Sequence, residues 1–402
     1  MAEDAPVAVR IDANRIDRVL TDMVERNAVA GVSALVFVNG SEVYFGSAGH
    51  SDVQSGRAFS RDTLVPIYSM TKPVTDITLM SLYQQGLFDL DAPLADYLPE
   101  YRDVQVITGR DDQGEPILVP PRRPIQVIDL FRYTACFGYG WEDHPASEFM
   151  NAASPLDSTK PLAQFSRELA TVPLYCHPGE QWKYGVAVDV QARLAEVVTG
   201  RPFEALIYER VLTPLKMTET AYSVAPDQAH RIAVAYRPQD GTAMERIPEG
   251  QFLGVGANKP VQINGGHGLI ATIDDYMRFA EMLRRHGSLD DVQVLRPETL
   301  AMMTRDHLSP EIVERDFLPS KGQMGFGLNF AVRIAPPVDD DEPYGVVGEF
   351  FWDGAASTLF WVDRENNLSA VFYTQVMPFD GVVQAQFRRA VYDALGLTRG
   401  GR

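Results

Sequence analysis

Between Arg10 and Ala30 the apolar residues Ile11, Ile16, Leu20 and Met23 recur at helical intervals with charged residues between them, which predicts an amphipathic helix. The period then changes. Val32-Ser33-Ala34-Leu35-Val36-Phe37-Val38 and Glu42-Val43-Tyr44-Phe45 are extended runs joined across Asn39-Gly40, a pair that readily takes the positive dihedrals of a tight hairpin turn, so they predict the first two antiparallel strands. The stretch from Pro66 to Gly86 contains a helix-compatible run, Thr75 to Tyr83, interrupted at Gly86. Pro73 is tolerated early in such a helix because first-turn amides lack intrahelical acceptors. This places Ser69 at or just before the first turn, with Leu87 to Pro93 as a turn and short connector.

From Tyr101 to Pro124 the chain turns polar and rich in glycine and proline, the pattern of a long surface excursion that either borders a substrate entrance or is an insertion without a chemical role. Helices are predicted at Val127 to Tyr133, Ala163 to Ala170 and Ala187 to Thr199, the last stopping before Gly200 and Pro202. Another starts near Thr272, which can cap it, with Asp275 in its first turn. In the C-terminal third, Gly325 to Val332, Tyr344 to Phe351, Ser357 to Val362 and Leu368 to Thr374 are short strand candidates, and Val382 to Leu395 is a closing amphipathic helix after a turn at Pro378 to Gly381. Strands at both ends with helical sequence between predict an α/β (α+β) fold: one antiparallel sheet built from both termini (10–75 and 265–402) and an inserted, mainly helical region (76–264).

Composition narrows the functional classes. A chain of 402 residues carrying a formal charge of -18, without any basic block, would be repelled by nucleic-acid phosphate and by anionic membrane. The acidic start, Met1 to Pro6, lacks the apolar segment of a secretory leader, and no run reaches the length of a spanning helix, so a cytoplasmic location is the expectation. Cys136 and Cys176 are the only cysteines and read as free buried thiols, since two in a chain this long neither staple the fold nor make a clustered metal site.

The candidate chemistry starts at Ser69-Met70-Thr71-Lys72. At the opening of a helix, side chains three residues apart approach one face, so a neutral lysine can accept the serine proton during attack. That requires a lysine pKa lowered from about 10.4 by desolvation or a nearby positive group. Taken alone, Ser-x-x-Lys is common on protein surfaces.

The surrounding sequence supplies context. The chain resembles the serine beta-lactamase-like superfamily, which includes penicillin-binding proteins, and within it the class C-like and family VIII carboxylesterase branch. The resemblance runs through Gly31 to Gly49, Val65 to Val74, Gly86 to Asp91, Pro178 to Val186, Asn264 to Leu269 and Phe351 to Ala356, so it covers nearly the whole chain. It implies an antiparallel sheet flanked by helices plus a helical domain, with the active site between them.

The resemblance also implies roles. Tyr184-Gly185-Val186 matches the second family motif, so Tyr184 is expected to relay a proton near Ser69 and to protonate the leaving group; the alternative is packing beside Trp182. Val186 stands where many lactamases have asparagine and cannot make its amide hydrogen bonds. Trp352-Asp353-Gly354 matches the third motif, often Lys-Thr-Gly, with Gly354 permitting close strand approach and the Ala355 N–H partnering the Ser69 N–H in an oxyanion hole. Trp352 removes a cationic head and favours an uncharged acyl substrate, while Asp353 adds negative charge or faces solvent. His267, in the glycine-rich Gly265 to Leu269 loop, faces the acyl site or has a structural role.

These residues predict a serine hydrolase cleaving a small-molecule carboxylic ester without a cofactor. The seven histidines form no compact metal signature, and the Gly-x-Ser-x-Gly elbow is absent. The competing readings are beta-lactam or D-amino-acid peptide or amide hydrolysis, acyl transfer to another alcohol, and an inactive binding or scaffolding protein. Oligomeric state is not legible.

Overall fold

The computed structural model describes residues 11–239, 243–248, 256–339, 342 and 344–397. Helix α1 (Ala13–Glu25) buries Ile16, Leu20 and Met23, the stripe expected from the sequence; the expected start at Arg10 lies outside the described residues. Strands β1 (Gly31–Val38) and β2 (Ser41–Asp52) follow, and their turn has φ of +54° at Asn39 and +79° at Gly40, which is why that pair suits it. The short β3 (Arg57–Ala58) completes the N-terminal contribution. The C-terminal third adds β4 (Met324–Phe326), β5 (Ala331–Arg333), β6 (Phe350–Asp353), β7 (Leu359–Asp363) and β8 (Leu368–Thr374). These strands form one eight-stranded sheet in the order β4-β5-β6-β7-β8-β1-β2-β3.

The two ends of the chain meet at β1 and β8, paired antiparallel from Val32 opposite Thr374 to Val38 opposite Leu368. All seven residues of β8 are buried, so both faces of the sheet are covered. Neighbouring residues of β7 show how. Phe360 meets Tyr276 and Phe279 of a helix spanning Ile273–Arg284, whereas Trp361 meets Phe387 of the C-terminal helix Gly381–Ala394. Successive strand side chains point to opposite faces, so one helix lies on each side. As expected, Thr272 caps the first of these helices by accepting the Asp275 N–H.

Between the two groups of strands the chain is mainly helical. Helix α2 (Thr71–Tyr83) is buried on nearly every side and packs against α3 (Ala187–Thr199). The position between residues 75 and 76, where the sequence divides the two regions, falls inside α2.

Several expectations need correction. The cysteines are not free: Cys136 and Cys176 form a disulfide across 40 positions. Backbone bonds from Tyr175 N–H to the Cys136 carbonyl and from Gly179 N–H to the Thr134 carbonyl bring the two segments side by side, a proximity that only the fold creates. The polar excursion contains a hairpin, Val106–Arg110 with Pro116–Val119, and does not line the cavity beside Ser69, which favours the insertion among the two readings. Gly325 to Val332 is two strands around a turn with Asn329 at φ +58°, and the strand expected at Tyr344 to Phe351 instead begins at Phe350 and runs to Asp353. Among the described residues no helix is long and apolar enough to cross a membrane, and no group of three or more metal-binding side chains could hold an ion.

Candidate active site

The chain reaches Ser69 through Tyr68, whose φ is +44°, and a 3₁₀ turn over Tyr68–Met70 that leads directly into α2. Side chains from other elements hold this turn: the Tyr276 hydroxyl donates to the Met70 carbonyl at 2.8 Å, and Gln375 Nε2 donates to the Pro66 carbonyl at 3.1 Å. The three-residue spacing then does what helical geometry dictates. Lys72 Nζ lies 3.1 Å from Ser69 Oγ.

Lys72 is 1% exposed, and its Nζ also donates to the Gly266 carbonyl at 2.7 Å. The Gly266 N–H donates in turn to Asp189 Oδ1 of α3 at 2.9 Å. Here the glycines are required by close approach: a Cβ on Gly265 would sit 2.3 Å from the Val188 carbonyl oxygen. The glycine-rich loop is therefore pressed onto α3, where its carbonyl can reach the lysine.

Tyr184 approaches from the opposite region of the chain, and its hydroxyl donates to Ser69 Oγ at 2.9 Å. Its backbone N–H donates to Asp316 Oδ2 at 2.8 Å, and its ring packs against Tyr133, Tyr139, Phe317 and Trp352 with centroids 5.1 to 5.6 Å apart. Both readings of Tyr184 thus describe one side chain: it packs beside Trp182 and also reaches the serine.

Electrostatics favours proton traffic at this point. Burial disfavours the ammonium form and lowers the Lys72 pKa to about 8, against the opposing negative charges of Asp189, Asp353 and Asp76. Burial also pushes Asp189 up to about 6, with the Lys72 charge and the Gly266 N–H pulling it down. Burial raises the Tyr184 phenol above its ordinary value, so it stays protonated and able to donate.

A cavity of about 800 Å³ opens beside Ser69, Tyr184 and Ala355, and Asp353 and Gly354 also line it. A Cβ on Gly354 would lie 2.5 Å from the Ile67 carbonyl oxygen and 2.3 Å from Thr358 Oγ1, so its absence lets the end of β6 approach the segment preceding the nucleophile. The Gly354 N–H is used by the Thr358 carbonyl at 2.9 Å, and no hydrogen bond of the Ala355 N–H occurs among the described residues.

The other sequence candidates lie behind the wall. Val186 is fully buried as the residue preceding α3, Trp352 is 1% exposed behind Tyr184, and His267 is buried with Nε2 3.1 Å from Asn264 Nδ2. Asp353 does not face solvent; it is ion-paired with Lys321. Sequence reasoning passed over Tyr139 and Trp141, which stack in the cavity wall, as well as Asp189 and Lys321. Asp189 did leave a signal, a lone acid inside the apolar run Val186-Ala187-Val188-Asp189-Val190, since a buried charge needs a specific partner. Tyr139, Trp141 and Lys321 left none.

The family described as Beta-lactamase matches residues 16–393. Protein Rv1367c of Mycobacterium tuberculosis is 30% identical over 412 residues, covering 97% of this chain and all of its own. Esterase EstB of Burkholderia gladioli is 28% identical over 96% of this chain and 98% of its own. The solved structure of EstCE1, described as a hydrolase with promiscuous acyltransferase activity, superposes with a TM-score of 0.77 at 24% identity, covering 94% of this chain and 98% of that one.

Proposed function

The chain belongs to the Beta-lactamase family, and from that premise we propose that it is a serine hydrolase cleaving carboxylic esters of small molecules through an acyl-enzyme on Ser69. The observation that carries this reading is the convergence of Lys72 Nζ and the Tyr184 hydroxyl on one Ser69 Oγ, at 3.1 and 2.9 Å, in the wall of a largely apolar cavity. The similarity to an esterase over nearly the full chain supports the ester as substrate.

Neutral Lys72 takes the Ser69 proton as Oγ bonds to the ester carbonyl carbon, and the Ser69 and Ala355 N–H groups receive the negative charge on the carbonyl oxygen. Collapse breaks the bond to the alcohol oxygen, which takes its proton from Tyr184, resupplied by Lys72. Water then attacks the acyl carbon and gives its proton to the same pair, releasing the acid and restoring Ser69. Val186 supplies no amide that a beta-lactam would engage, and at the third motif Trp352 replaces the usual cation, while the nearby Lys321 ammonium is already paired with Asp353.

Intact-mass analysis after fluorophosphonate treatment tests the nucleophile: one adduct, mapped to Ser69, is expected, and a folded protein that stays unlabelled would refute the enzyme reading. A parallel assay with a short-chain aryl ester and a chromogenic cephalosporin should give the larger specificity constant for the ester; comparable cephalosporin turnover would reverse that order. The cytoplasmic placement is part of the proposal, although disulfides such as Cys136–Cys176 form mainly in oxidising compartments. Finding the protein in an extracytoplasmic fraction would replace it.

A further inference from the structure

Asp353 is the last residue of β6, two positions before Ala355, and it lines the cavity together with Lys321. The Lys321 ammonium is ion-paired with the Asp353 carboxylate, and their side chains are only 9% and 10% exposed. Around that ammonium stand three aromatic rings, those of Phe317, Trp352 and Phe379, with centroids 5.2, 5.4 and 5.1 Å away. Lys321 belongs to a short 3₁₀ turn over Leu318–Lys321, in a different part of the chain from either half of the nucleophile machinery. The cation is thus held in place from two sides, by a buried counter-charge and by ring faces that attract positive charge.

A carboxylate at position 353 is unfavourable for acyl chemistry unless it is neutralised. It stands two positions before Ala355, near the point where the carbonyl oxygen of a bound ester would gain negative charge, and beside a largely apolar wall two negative charges repel more strongly than in water. It also acts on the base: the negative charges opposing the loss of the Lys72 proton come from Asp189 on α3, Asp76 on α2 and Asp353 on β6, while the rings of Tyr184 and Tyr139 face the same Nζ.

We propose that Lys321 is a positioning residue for ester hydrolysis, the cation that cancels Asp353 beside the oxyanion position and so keeps that carboxylate from opposing the developing negative charge. The proposal rests on the esterase reading above. It makes Lys321 and Asp353 a unit whose charge balance, rather than either side chain alone, matters to the reaction.

The test follows the pH dependence of two reactions, turnover of an aryl ester and the rate of Ser69 labelling by a fluorophosphonate, in Lys321→Met, Asp353→Asn and the double variant. Lys321→Met keeps an unbranched apolar stem within the ring cage but leaves Asp353 unopposed. The midpoint of the acid limb should rise by about one pH unit, lowering kcat/KM about tenfold below the midpoint and acting through kcat more than KM. Asp353→Asn should move the midpoint down, and the double variant should return it to the wild-type position with most of the rate recovered. A mere tether between the Leu318–Lys321 turn and β6 would give no such rescue. An unshifted midpoint in Lys321→Met, or a double variant as impaired as the single one, would overturn the proposal. If Lys321→Met does not fold, the Asp353→Asn midpoint decides, and no downward shift rejects it. Failure of the esterase reading has a different signature: wild-type Ser69 labels but the ester is not turned over, in which case the labelling profiles still decide the role of Lys321.

Discussion

Asp189 and Lys72 are joined through a single residue: the Asp189 carboxylate accepts the Gly266 N–H at 2.9 Å, and the Gly266 carbonyl accepts from the Lys72 ammonium at 2.7 Å. The lysine is therefore fixed at the loop as well as at Ser69, and its distance to the serine does not depend on its own flexible stem. A base held in this way costs no reordering when the proton moves.

Replacing Lys72 with Met removes the amine and keeps much of the stem. Turnover of an activated ester should fall at least about a hundredfold, the range for deleting a positioned acid-base group. Circular dichroism should match wild type. A well-folded Lys72→Met with near-normal turnover would remove Lys72 from the role of base.

The same substitution should stabilise the fold. The Lys72 pKa falls from 10.5 to about 8 on burial, so below pH 8 the native state carries a buried charge that the unfolded chain holds in water. Between pH 8 and 10.5 the unfolded state binds more protons than the native one, and stability rises with pH through that window. Lys72→Met removes a penalty on the order of 3 kcal/mol below pH 8, and its advantage shrinks toward pH 10.5. Denaturant melts across this range check the prediction; an advantage that grows with pH would contradict the sign.

Tyr184→Phe keeps the ring contacts with Tyr133 and Phe317 and deletes only the hydroxyl on Ser69 Oγ. The melting temperature should stay close to wild type while turnover drops by about two orders of magnitude or more. Because the missing proton is needed by the leaving alcohol, the loss should be greater for alkyl esters than for aryl esters with good leaving groups. Equal losses for both would remove Tyr184 from leaving-group protonation, and unchanged turnover would assign it to packing alone.

Gly354→Ala should abolish ester turnover. The added Cβ would meet the Ile67 carbonyl oxygen at 2.5 Å, so the end of β6 has to withdraw from the nucleophile turn and take the Ala355 N–H with it. Since Lys72 and Ser69 are untouched, labelling by a fluorophosphonate should be slowed and not prevented. Unchanged ester turnover would separate Ala355 from the oxyanion position.

The Cys136–Cys176 bond closes a 40-residue separation, and such cross-links are worth about 2 to 4 kcal/mol through the unfolded chain. Reduction should lower the melting temperature of wild type and leave a Cys136→Ser/Cys176→Ser variant unaffected. A melting temperature indifferent to reductant would mean that the bond adds no stability.

What the sequence by itself determined were the features written in local order. The stripe of α1, the Asn39-Gly40 hairpin, the span Ala187–Thr199 and the strand Leu368–Thr374 follow from side-chain period and turn chemistry, which act between near neighbours. The Ser69–Lys72 approach belongs with them, because one helical turn suffices to make it. Tyr184 and Ala355 were legible only through motifs resembling a family, since no local rule carries a side chain across 115 positions to Ser69. Tertiary structure alone decided the rest. It paired the two cysteines by running their segments side by side, buried Trp352, Val186 and His267 behind the cavity wall, and brought Lys321 onto Asp353 across 32 positions. Each of these depends on which surfaces pack together, a choice made by burial over the whole chain, and such non-directional forces leave no spacing for a sequence to display.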